Sequence, residues 1–513
     1  MLLGLVALSL VALVARLYAA NTVGFGDSEA LYASYALFPA PAYLDHPGLV
    51  GLVARSIGHG LAPSPYAAHR LTAIAATLAP WAVALACRAL GAGARGSLAA
   101  AVAVAVAPEV AVGLFGMTPD LILFFAWISA IALFGRALQS PPRSTAASAL
   151  FLGAGLALGV ACTAKVSGVT LAAAFLLVLG APRARAHLWT PWPWTAFVLT
   201  GLLVAPVVAY EARTGWPMVH HRLVDTQHDA GVSLRNAAAI VFGQAGYVSP
   251  VLFACGGALA LDLYRTRTHD IVRALLAATT FVPMITVGLL CLWSRVAEPH
   301  WLAPAWLSLP LYYAYRVTFP APDGGTIGAD TRETRFIQAM LAARVRRIAA
   351  LVGGVASAIV YAWVLVPGLV ALVPRSAYEP RLDIANELYG WPELAADVHR
   401  AVDAERVPLG DSRDVVVVGS VWMVCAQLRA SLTVGIAVGC AGSNVADFAS
   451  WEPASAWSRA DTLVLVYDNR APTTSATLFP DRALVSTFTR TLSRGGQTAR
   501  VFTIEVLSRR AAG

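Results

Sequence analysis

The sequence has 513 residues, of which 58% are hydrophobic and only 13% are charged, with a formal net charge of +8. Apolar runs of about 18 to 25 residues recur along the chain, and each is long enough to cross a hydrocarbon layer of roughly 30 Å. This composition excludes a string of soluble domains and predicts a polytopic α-helical membrane protein in a lipid bilayer. The arginines lie mostly between the apolar runs, so the positive charge does not indicate a nucleic-acid partner.

Eleven apolar runs qualify as membrane spans. They cover about residues 2–20, 68–90, 98–116, 121–138, 147–164, 168–182, 193–211, 238–263, 274–294, 302–316 and 348–373. The first run lacks a small-residue cleavage site followed by a polar mature domain, so we expect a retained span rather than a signal peptide. The sequence therefore predicts a transmembrane domain over residues 1–373.

The distribution of basic residues predicts the orientation of these spans. With a cytoplasmic N-terminus, fifteen arginines fall in the inner loops and eight basic residues fall in the outer segments before residue 374. Because cytoplasmic loops are enriched in Lys and Arg, this bias places the N-terminus inside. Residues 21–67 and everything after residue 373 are then extracytoplasmic, and we expect a multi-pass protein of the inner (plasma) membrane.

The first outer loop, residues 21–67, is rich in ionisable and aromatic side chains for so apolar a chain. Its candidates for catalysis, donor binding and sugar or acceptor contacts are Asp27, Glu29, Tyr32, Tyr43, Asp45 and His46. An ordinary connecting loop would explain short strings such as Asp-His-Pro. Acids gathered directly outside a membrane span favour instead a catalytic loop that lies on the membrane surface.

Two further ionisable residues stand at the outer ends of spans. Asp120 follows Pro119 and could lie in the first turn of a helix, where the helix dipole favours an anion. Together with Asp45, it could instead bind a divalent metal cation or a pyrophosphate-like donor. Lys165 is the only lysine in the chain. It is either a side chain that reaches towards the interface or a compact cation suited to a phosphate.

Three other outer segments carry candidates. Glu109 follows Pro108 and either satisfies backbone groups freed by the proline or belongs to the site. The segment 216–229 holds Arg222 and three histidines without a metal-ligand spacing, which favours contacts with a phosphate or an acceptor. In the segment 295–306, tryptophans form either an interfacial belt or a platform for a sugar. Its candidates for acceptor or sugar contacts are Glu298, His300 and Trp301.

The tail, residues 374–513, differs in character from the spans. Helix-like stretches at 385–404 and 421–430 alternate with β-branched runs at 415–418, 462–466 and 501–506. This order predicts a small extracytoplasmic α/β domain with parallel strands and crossover helices. The tail has no glycine-rich phosphate loop, so we expect no nucleotide. Its two cysteines, Cys425 and Cys440, could form a disulfide in an oxidising compartment or remain buried thiols.

In the order of its motifs the chain resembles the glycosyltransferase C (GT-C) superfamily, and within it the protein O-mannosyltransferases and bacterial aminoarabinose transferases. The motifs extend over nearly the whole chain: the first-loop acids, Tyr43–Pro47, Thr118–Asp120, the turn at Lys165, Gln244–Pro250, His300–Pro304, Gly390–Leu394 and Ser443–Asn444. The resemblance implies a GT-C fold and an enzyme that moves a sugar from a polyprenyl phosphate carrier to a hydroxyl of a lipid, glycan or protein acceptor on the outer face of the membrane.

The resemblance also implies roles for the candidate residues. Asp45 and Asp120 would bind a metal or the donor, and Lys165 together with His46 would face the carrier phosphate. An acid of the first loop would be the catalytic base.

The choice of base is open because the first loop departs from the family pattern. The family usually has Asp-Glu followed by a tyrosine three residues on, whereas here Ser28-Glu29 falls in that register and Asp27 lies one place early. The base is therefore Asp27 or Glu29, and we favour Asp27 because a loop at a helix start can absorb one residue.

General chemistry supports the same function. A carboxylate can take the proton of an acceptor hydroxyl as it attacks the anomeric carbon, and positive charge stabilises the departing lipid phosphate. The competing interpretation is a transporter or lipid flippase, whose site would lie near mid-membrane between repeated halves. The chain has no internal repeat, and apart from Glu109 its ionisable candidates gather at one face. The sequence therefore favours a membrane glycosyltransferase.

Overall fold

The computed structural model describes residues 1–296, 298–320, 332–406 and 414–509. Within these ranges seven helices are long and apolar enough to cross a membrane. They are Leu2–Thr22, Pro65–Ala89, Pro119–Leu138, Thr145–Ala164, Trp192–Thr214, Ile271–Trp293 and Ala343–Leu365. The prediction of a polytopic helical membrane protein is confirmed.

Three helix pairs pass the same test together but are bent at a short break, which raises the number of spans to as many as ten. They are Ala94–Val106 with Pro108–Phe115, Gly168–Leu179 with Pro182–Leu188, and Leu234–Val248 with Pro250–Thr266, bent by 73°, 83° and 107°. In each pair a proline opens the second helix, since proline lacks the N–H group that would continue the first. The predicted span 302–316 corresponds to two short helices, Ala303–Trp306 and Ser308–Thr318.

The spans pack closely because small residues let helix backbones approach each other. At Gly155 in the helix Thr145–Ala164, an added Cβ would lie 2.4 Å from the carbonyl oxygen of Ala196 in the helix Trp192–Thr214. Thr200 donates a hydrogen bond of 2.9 Å to the Gly155 carbonyl across the same contact. The main apolar core lies in this bundle.

The first outer loop folds into two helices, Asp27–Ser34 and Leu49–Ile57, joined by a tight turn. In the turn, the amide of Tyr43 donates to the carbonyl of His46 at 2.9 Å. Gly48 is required there, because an added Cβ would lie 2.1 Å from a backbone oxygen. The turn fixes the position of residues 44–46, which carry two of the predicted site residues.

The C-terminal region forms a five-stranded sheet in the order β2-β1-β3-β5-β4. Its strands are β1 Val415–Gly419, β2 Val438–Cys440, β3 Thr462–Asp468, β4 Arg482–Arg494 and β5 Gln497–Arg509. Strand β1 pairs in parallel with β3, as predicted, and with β2, which was not predicted. Strand β5 covers the predicted run 501–506 but is antiparallel to both β3 and β4, so the prediction of parallel strands was wrong for it. Strand β4 was not predicted, because it is a largely exposed run of Ser, Thr and Arg rather than an apolar segment.

The remaining helices are short, except for two that flank the sheet, Trp391–Arg406 and Trp422–Ser431. The short α-helices are Pro217–Leu223, Arg332–Met340, Phe448–Trp451, Ala454–Trp457 and Ser475–Leu478. The short 3₁₀ helices outside the bent spans are Asp225–Gln227, Pro299–Leu302, Pro367–Leu372, Pro380–Leu382 and Asn386–Leu388.

Cys425 and Cys440 form a disulfide, with their Cα atoms 5.7 Å apart. The bond joins the helix Trp422–Ser431 to strand β2. Both cysteines are buried in an apolar cluster shared with the first outer loop, whose members include Phe25 and Ala30. The C-terminal region therefore packs directly onto the loop that carries the predicted site.

Candidate active site

Asp120 and Lys165 form an ion pair, with Lys165 Nζ 2.7 Å from Asp120 Oδ1. Pro119 starts the helix Pro119–Leu138, so Asp120 lies in its first turn. Lys165 immediately follows the helix Thr145–Ala164, and its side chain is only 10% exposed. An ammonium group has three N–H donors, and Asp120 uses one of them. The pair thus keeps a buried cation with further donors for an anion.

A second ion pair joins the first loop to the segment after the span Trp192–Thr214. Arg222 Nη2 lies 2.8 Å from Asp45 Oδ1, and His221 Nε2 lies 3.7 Å from the same oxygen. The guanidinium of Arg222 also lies 5.5 Å from the ring centroid of Trp301, a cation–π geometry. Three outer segments that are distant in sequence therefore meet at Arg222.

His46 lies between these two ion pairs. Its Nε2 atom is 3.0 Å from the hydroxyl of Tyr32. Burial lowers the pKa of His46 well below its usual value, and the charges of Lys165 and Arg222 lower it further. At neutral pH His46 is therefore an uncharged hydrogen-bonding group rather than a cation.

Glu298 and His300 pair with each other in the segment that also holds Trp301, with His300 Nδ1 3.0 Å from Glu298 Oε2. The hydrogen bond from His300 lowers the pKa of Glu298, whereas its partial burial opposes the shift. The His300 ring lies 6.4 Å from the ring of Tyr247, measured between centroids. Glu298 is thus an anion that His300 holds near the other site residues.

Asp27 is anchored by the C-terminal region. Its Oδ2 atom accepts a 2.6 Å hydrogen bond from Arg470 and its Oδ1 atom accepts one of 3.2 Å from Gln427. The backbone amide of Asp27 donates to Glu387 Oε2 at 3.1 Å. Only 5% of the residue is exposed. Asp27 therefore has a fixed position at the start of the helix Asp27–Ser34.

The carboxylate of Glu29 is hydrogen-bonded to three groups. It accepts from the amides of Gly26 and Met117, at 3.0 and 2.6 Å, and pairs with His69 Nε2 at 3.0 Å. Burial would raise the pKa of Glu29, but His69 and the two amides outweigh burial and lower it. Glu29 thereby joins the first loop to two membrane segments, a bonding pattern typical of a structural carboxylate.

The two predicted tyrosines of the first loop differ in their contacts. Tyr32 contacts His46, as described above, and therefore belongs to the cluster. Tyr43 stacks on Tyr35 at 3.5 Å between ring centroids, and its hydroxyl donates to the carbonyl of Phe38 at 2.9 Å. The same hydroxyl accepts from the amide of Ala40 at 3.0 Å. Tyr43 therefore holds the loop together.

A cavity of about 850 Å³ extends through the helical bundle beside this cluster. Its walls are mostly apolar side chains from the membrane spans. Polar residues lie at one end: Glu109, Thr118, Asp120, Tyr247, His300 and Glu387. Its other end is lined by Arg346 and Arg347, near the start of the helix Ala343–Leu365. The cavity is thus mostly apolar, with polar residues at a mouth near the Asp120–Lys165 pair.

Residues of the C-terminal region contribute to the site, which sequence reasoning missed. Asp447 accepts from the amide of Leu44 at 2.9 Å and from the hydroxyl of Tyr35 at 3.2 Å, which fixes the turn before Asp45. Burial and the negative charge of Asp45 raise the pKa of Asp447 to about 7. These residues lie outside any recognisable motif, so no sequence signal indicated them.

Glu387 is the other missed carboxylate, and it lies in the short helix Asn386–Leu388. Burial raises its pKa to about 7, and the negative charge of Asp27 adds to the shift. Among the described residues of the C-terminal region, Glu387 is the one that lines the cavity.

The predicted metal ligands Asp45 and Asp120 each pair with a cationic side chain. Among the residues that the structure describes, no group of three or more His, Cys, Asp or Glu side chains is placed to hold a metal ion. The combination of buried cations and donors at the mouth fits an anionic group such as a phosphate better than a divalent cation.

The overall fold is the GT-C fold, as predicted. The structure is similar to the crystal structure of ArnT from Cupriavidus metallidurans in the apo state, with a TM-score of 0.61 and 15% identity over 98% of each chain. It is also similar to ArnT from the same organism bound to undecaprenyl phosphate, with a TM-score of 0.58 and 16% identity over 97% of each chain. At this identity the similarity establishes the fold.

A protein-family model matches part of the sequence. Residues 45–210 match the family described as dolichyl-phosphate-mannose-protein mannosyltransferase. The matched region begins at Asp45 and includes both Asp120 and Lys165. No curated protein matches the chain by sequence.

Proposed function

We propose that the protein transfers a sugar from a polyprenyl phosphate carrier to a hydroxyl of a lipid, glycan or protein acceptor on the outer face of the membrane. The observation that carries the proposal is the apolar cavity with the Asp120–Lys165 pair at its mouth. A polyprenyl phosphate has the same division, with a long apolar tail and one anionic end. ArnT, which has the same fold, has been crystallised with undecaprenyl phosphate.

In this proposal Lys165, Arg222 and His46 bind the carrier phosphate. Lys165 and Arg222 supply positive charge, and His46 supplies a neutral hydrogen bond. Charge-assisted hydrogen bonds to a phosphate are stronger than neutral ones, especially where water is partly excluded. Because negative charge on the phosphate increases as the sugar leaves, these groups stabilise the transition state more than the ground state.

Asp27 is the proposed proton acceptor, with Glu29 as the alternative. The acceptor hydroxyl gives its proton to the carboxylate, its oxygen bonds to the anomeric carbon, and the bond from that carbon to the phosphate oxygen breaks. The electron pair leaves with the carrier phosphate. Arg470 and Gln427 fix the Asp27 carboxylate in one orientation. The three donors on Glu29 favour a structural role for it, which supports the choice of Asp27.

Replacement of Asp27 by Asn tests this assignment, because the amide keeps the shape and loses the base. We expect transfer to fall by about 100- to 10,000-fold, the usual contribution of a general base. Binding of the donor should change little. Glu29→Gln is the matched control and should lower the thermal unfolding midpoint, since it weakens three contacts. If the Asp27→Asn enzyme kept full turnover and Glu29 also proved dispensable, the assignment of a first-loop carboxylate as the base would be refuted.

We also propose that the N-terminus is cytoplasmic and the C-terminal α/β domain, residues 374–513, extracytoplasmic. The arginine distribution supports this topology, and the Cys425–Cys440 disulfide fits an oxidising compartment. A reporter fused to the C-terminus should be active only outside the cytoplasm. Activity of that fusion inside would reverse the orientation of every proposed site residue.

A further inference from the structure

The cavity also has a basic end, formed by Arg346 and Arg347 near the start of the helix Ala343–Leu365. The guanidinium of Arg346 lies 5.6 Å from the ring centroid of Tyr313, a cation–π geometry, and Tyr313 lines the cavity too. Arg346 also donates a hydrogen bond to the carbonyl of Leu341. These two contacts hold the guanidinium of Arg346 at the cavity wall, where its remaining N–H groups can bind a ligand.

The basic end is far from the polar mouth described above. The hydroxyl of Tyr361 donates to the carbonyl of Ala111 at 2.7 Å, and Ala111 lies two residues after Glu109 of that mouth. Arg346 lies fifteen residues before Tyr361 in the same helix. At 1.5 Å per residue this spacing is about 22 Å, most of the roughly 30 Å of a hydrocarbon layer. The two ends of the cavity therefore lie near opposite ends of the membrane spans.

The positive charge at the basic end has no acidic partner. Among the residues that the structure describes, no carboxylate pairs with Arg346 or Arg347. By contrast, Arg316 pairs with Asp262. The helix Ala343–Leu365 also begins without an acidic residue in its first turn and without a side-chain cap. Because the N–H groups at a helix start carry partial positive charge, arginines there repel it, and a bound anion would lower that repulsion.

Unpaired arginines at the end of an apolar cavity complement an amphiphile that has an anionic phosphate and apolar chains. The planar guanidinium group binds phosphate oxygens with two N–H groups at once, and basic pockets between membrane spans bind anionic lipid headgroups. A carrier whose phosphate contacts Lys165 cannot place the same phosphate about 22 Å away. The ligand of the basic end is therefore a separate molecule.

We infer that Arg346 and Arg347 bind the phosphate of an anionic phospholipid, with an acyl chain of that lipid in the cavity. A headgroup with net negative charge fits better than a zwitterionic one, since the ammonium of choline would meet only cations there. In the proposed topology the lipid belongs to the cytoplasmic leaflet. The site goes beyond the proposed function and does not depend on it.

The test measures the affinity of the site for lipid. Delipidated full-length protein in detergent is titrated with phosphatidylglycerol or with phosphatidylcholine of the same acyl chains, and native mass spectrometry counts the bound lipid. Phosphatidylglycerol should bind at least about 10-fold more tightly, because two arginines act on its net charge. Equal affinities would overturn the inference. Glycerol phosphate, which has the charge without the chains, should not displace the lipid at equal concentration; displacement would show that the ligand is a water-soluble phosphate.

Variants separate this site from general attraction to a basic surface. The double substitution Arg346→Gln with Arg347→Gln should lower the affinity for phosphatidylglycerol about 10-fold or more. Arg344→Gln is the matched control, because Arg344 is exposed at the same helix start but is not among the described residues that line the cavity. An equal loss in Arg344→Gln would overturn the inference.

A single substitution guards against misfolding of the double variant. Arg347 makes no hydrogen bond or ion pair with another described residue, so Arg347→Gln should keep the unfolding midpoint of the wild-type protein. Its affinity for phosphatidylglycerol should still fall, and an unchanged affinity would contradict the assignment. Sugar transfer does not enter these measurements, so failure of this inference and failure of the proposed function are distinguishable.

Discussion

Replacement of Lys165 by Met should weaken binding of the carrier while leaving the fold largely intact. Lys165 is 10% exposed at its side chain, and its ammonium lies 2.7 Å from Asp120. A charged hydrogen bond contributes about 1.5 to 3 kcal/mol, which corresponds to an affinity about 10- to 150-fold lower for polyprenyl phosphate. Titration of nanodisc-embedded protein with a fluorescent polyprenyl phosphate measures that affinity.

Asp120→Asn provides the control that separates this role from a structural ion pair. If the pair only stabilises the fold, loss of either partner leaves a buried charge without its counterpart and lowers the unfolding midpoint in both variants. In that case the Lys165→Met and Asp120→Asn variants would bind the carrier with the same affinity. If Lys165 faces the phosphate, Asp120→Asn should retain or increase affinity, because it removes a competing anion. Equal affinity of Lys165→Met and wild-type protein would refute the reasoning.

Three further predictions concern stability and metal dependence. The raised pKa of Asp447 means that the folded state binds its proton more tightly than the unfolded state, so this residue should destabilise the protein progressively as pH rises from about 4 to about 7. Asp447→Asn should show a smaller fall in unfolding midpoint over that range, and an identical fall would contradict the assignment. Replacing Cys425 and Cys440 by Ala should lower the free energy of unfolding by about 3 kcal/mol in denaturant titrations. An unchanged free energy of unfolding would show that the disulfide does not stabilise the protein by restricting the unfolded chain. Since Asp45 and Asp120 already pair with cations, we expect transfer to survive EDTA; a loss that Mg²⁺ or Mn²⁺ restores would establish the divalent cation predicted from the sequence.

The spans were predictable because their signal is local. Twenty apolar residues in a row specify a transmembrane helix whatever surrounds them. The breaks at Pro108 and Pro250 were not predicted, because the runs 98–116 and 238–263 were each predicted as one span. The size of each bend was not predictable, because it depends on the helices that pack around the break. At Ser249, for example, φ is 82°, a left-handed conformation that the serine side chain alone does not dictate.

The candidate site was predictable at the ends of the spans and in the loops between them, but not in the C-terminal region. Asp120 and Lys165 were singled out by their positions at the ends of spans, and the structure brings them together. The partners of Asp27 were not foreseen, because Gln427 lies 400 positions away and Arg470 lies 443 positions away. Contacts of that range arise from how the α/β domain docks on the first loop, and no periodicity in the sequence encodes the docking. The assigned roles of the site residues stay predictions.

The central claim is that a sugar leaves a polyprenyl phosphate at the mouth of the cavity. The most direct measurement incubates wild-type protein in nanodiscs with polyprenyl phosphate sugars labelled in the sugar, and follows both the label and the free carrier phosphate by mass spectrometry. The account predicts that free polyprenyl phosphate accumulates as the label appears on a hydroxyl acceptor, and that Asp27→Asn abolishes both. Labelled donor that is recovered intact with every sugar, or that only crosses the bilayer in proteoliposomes, would contradict it.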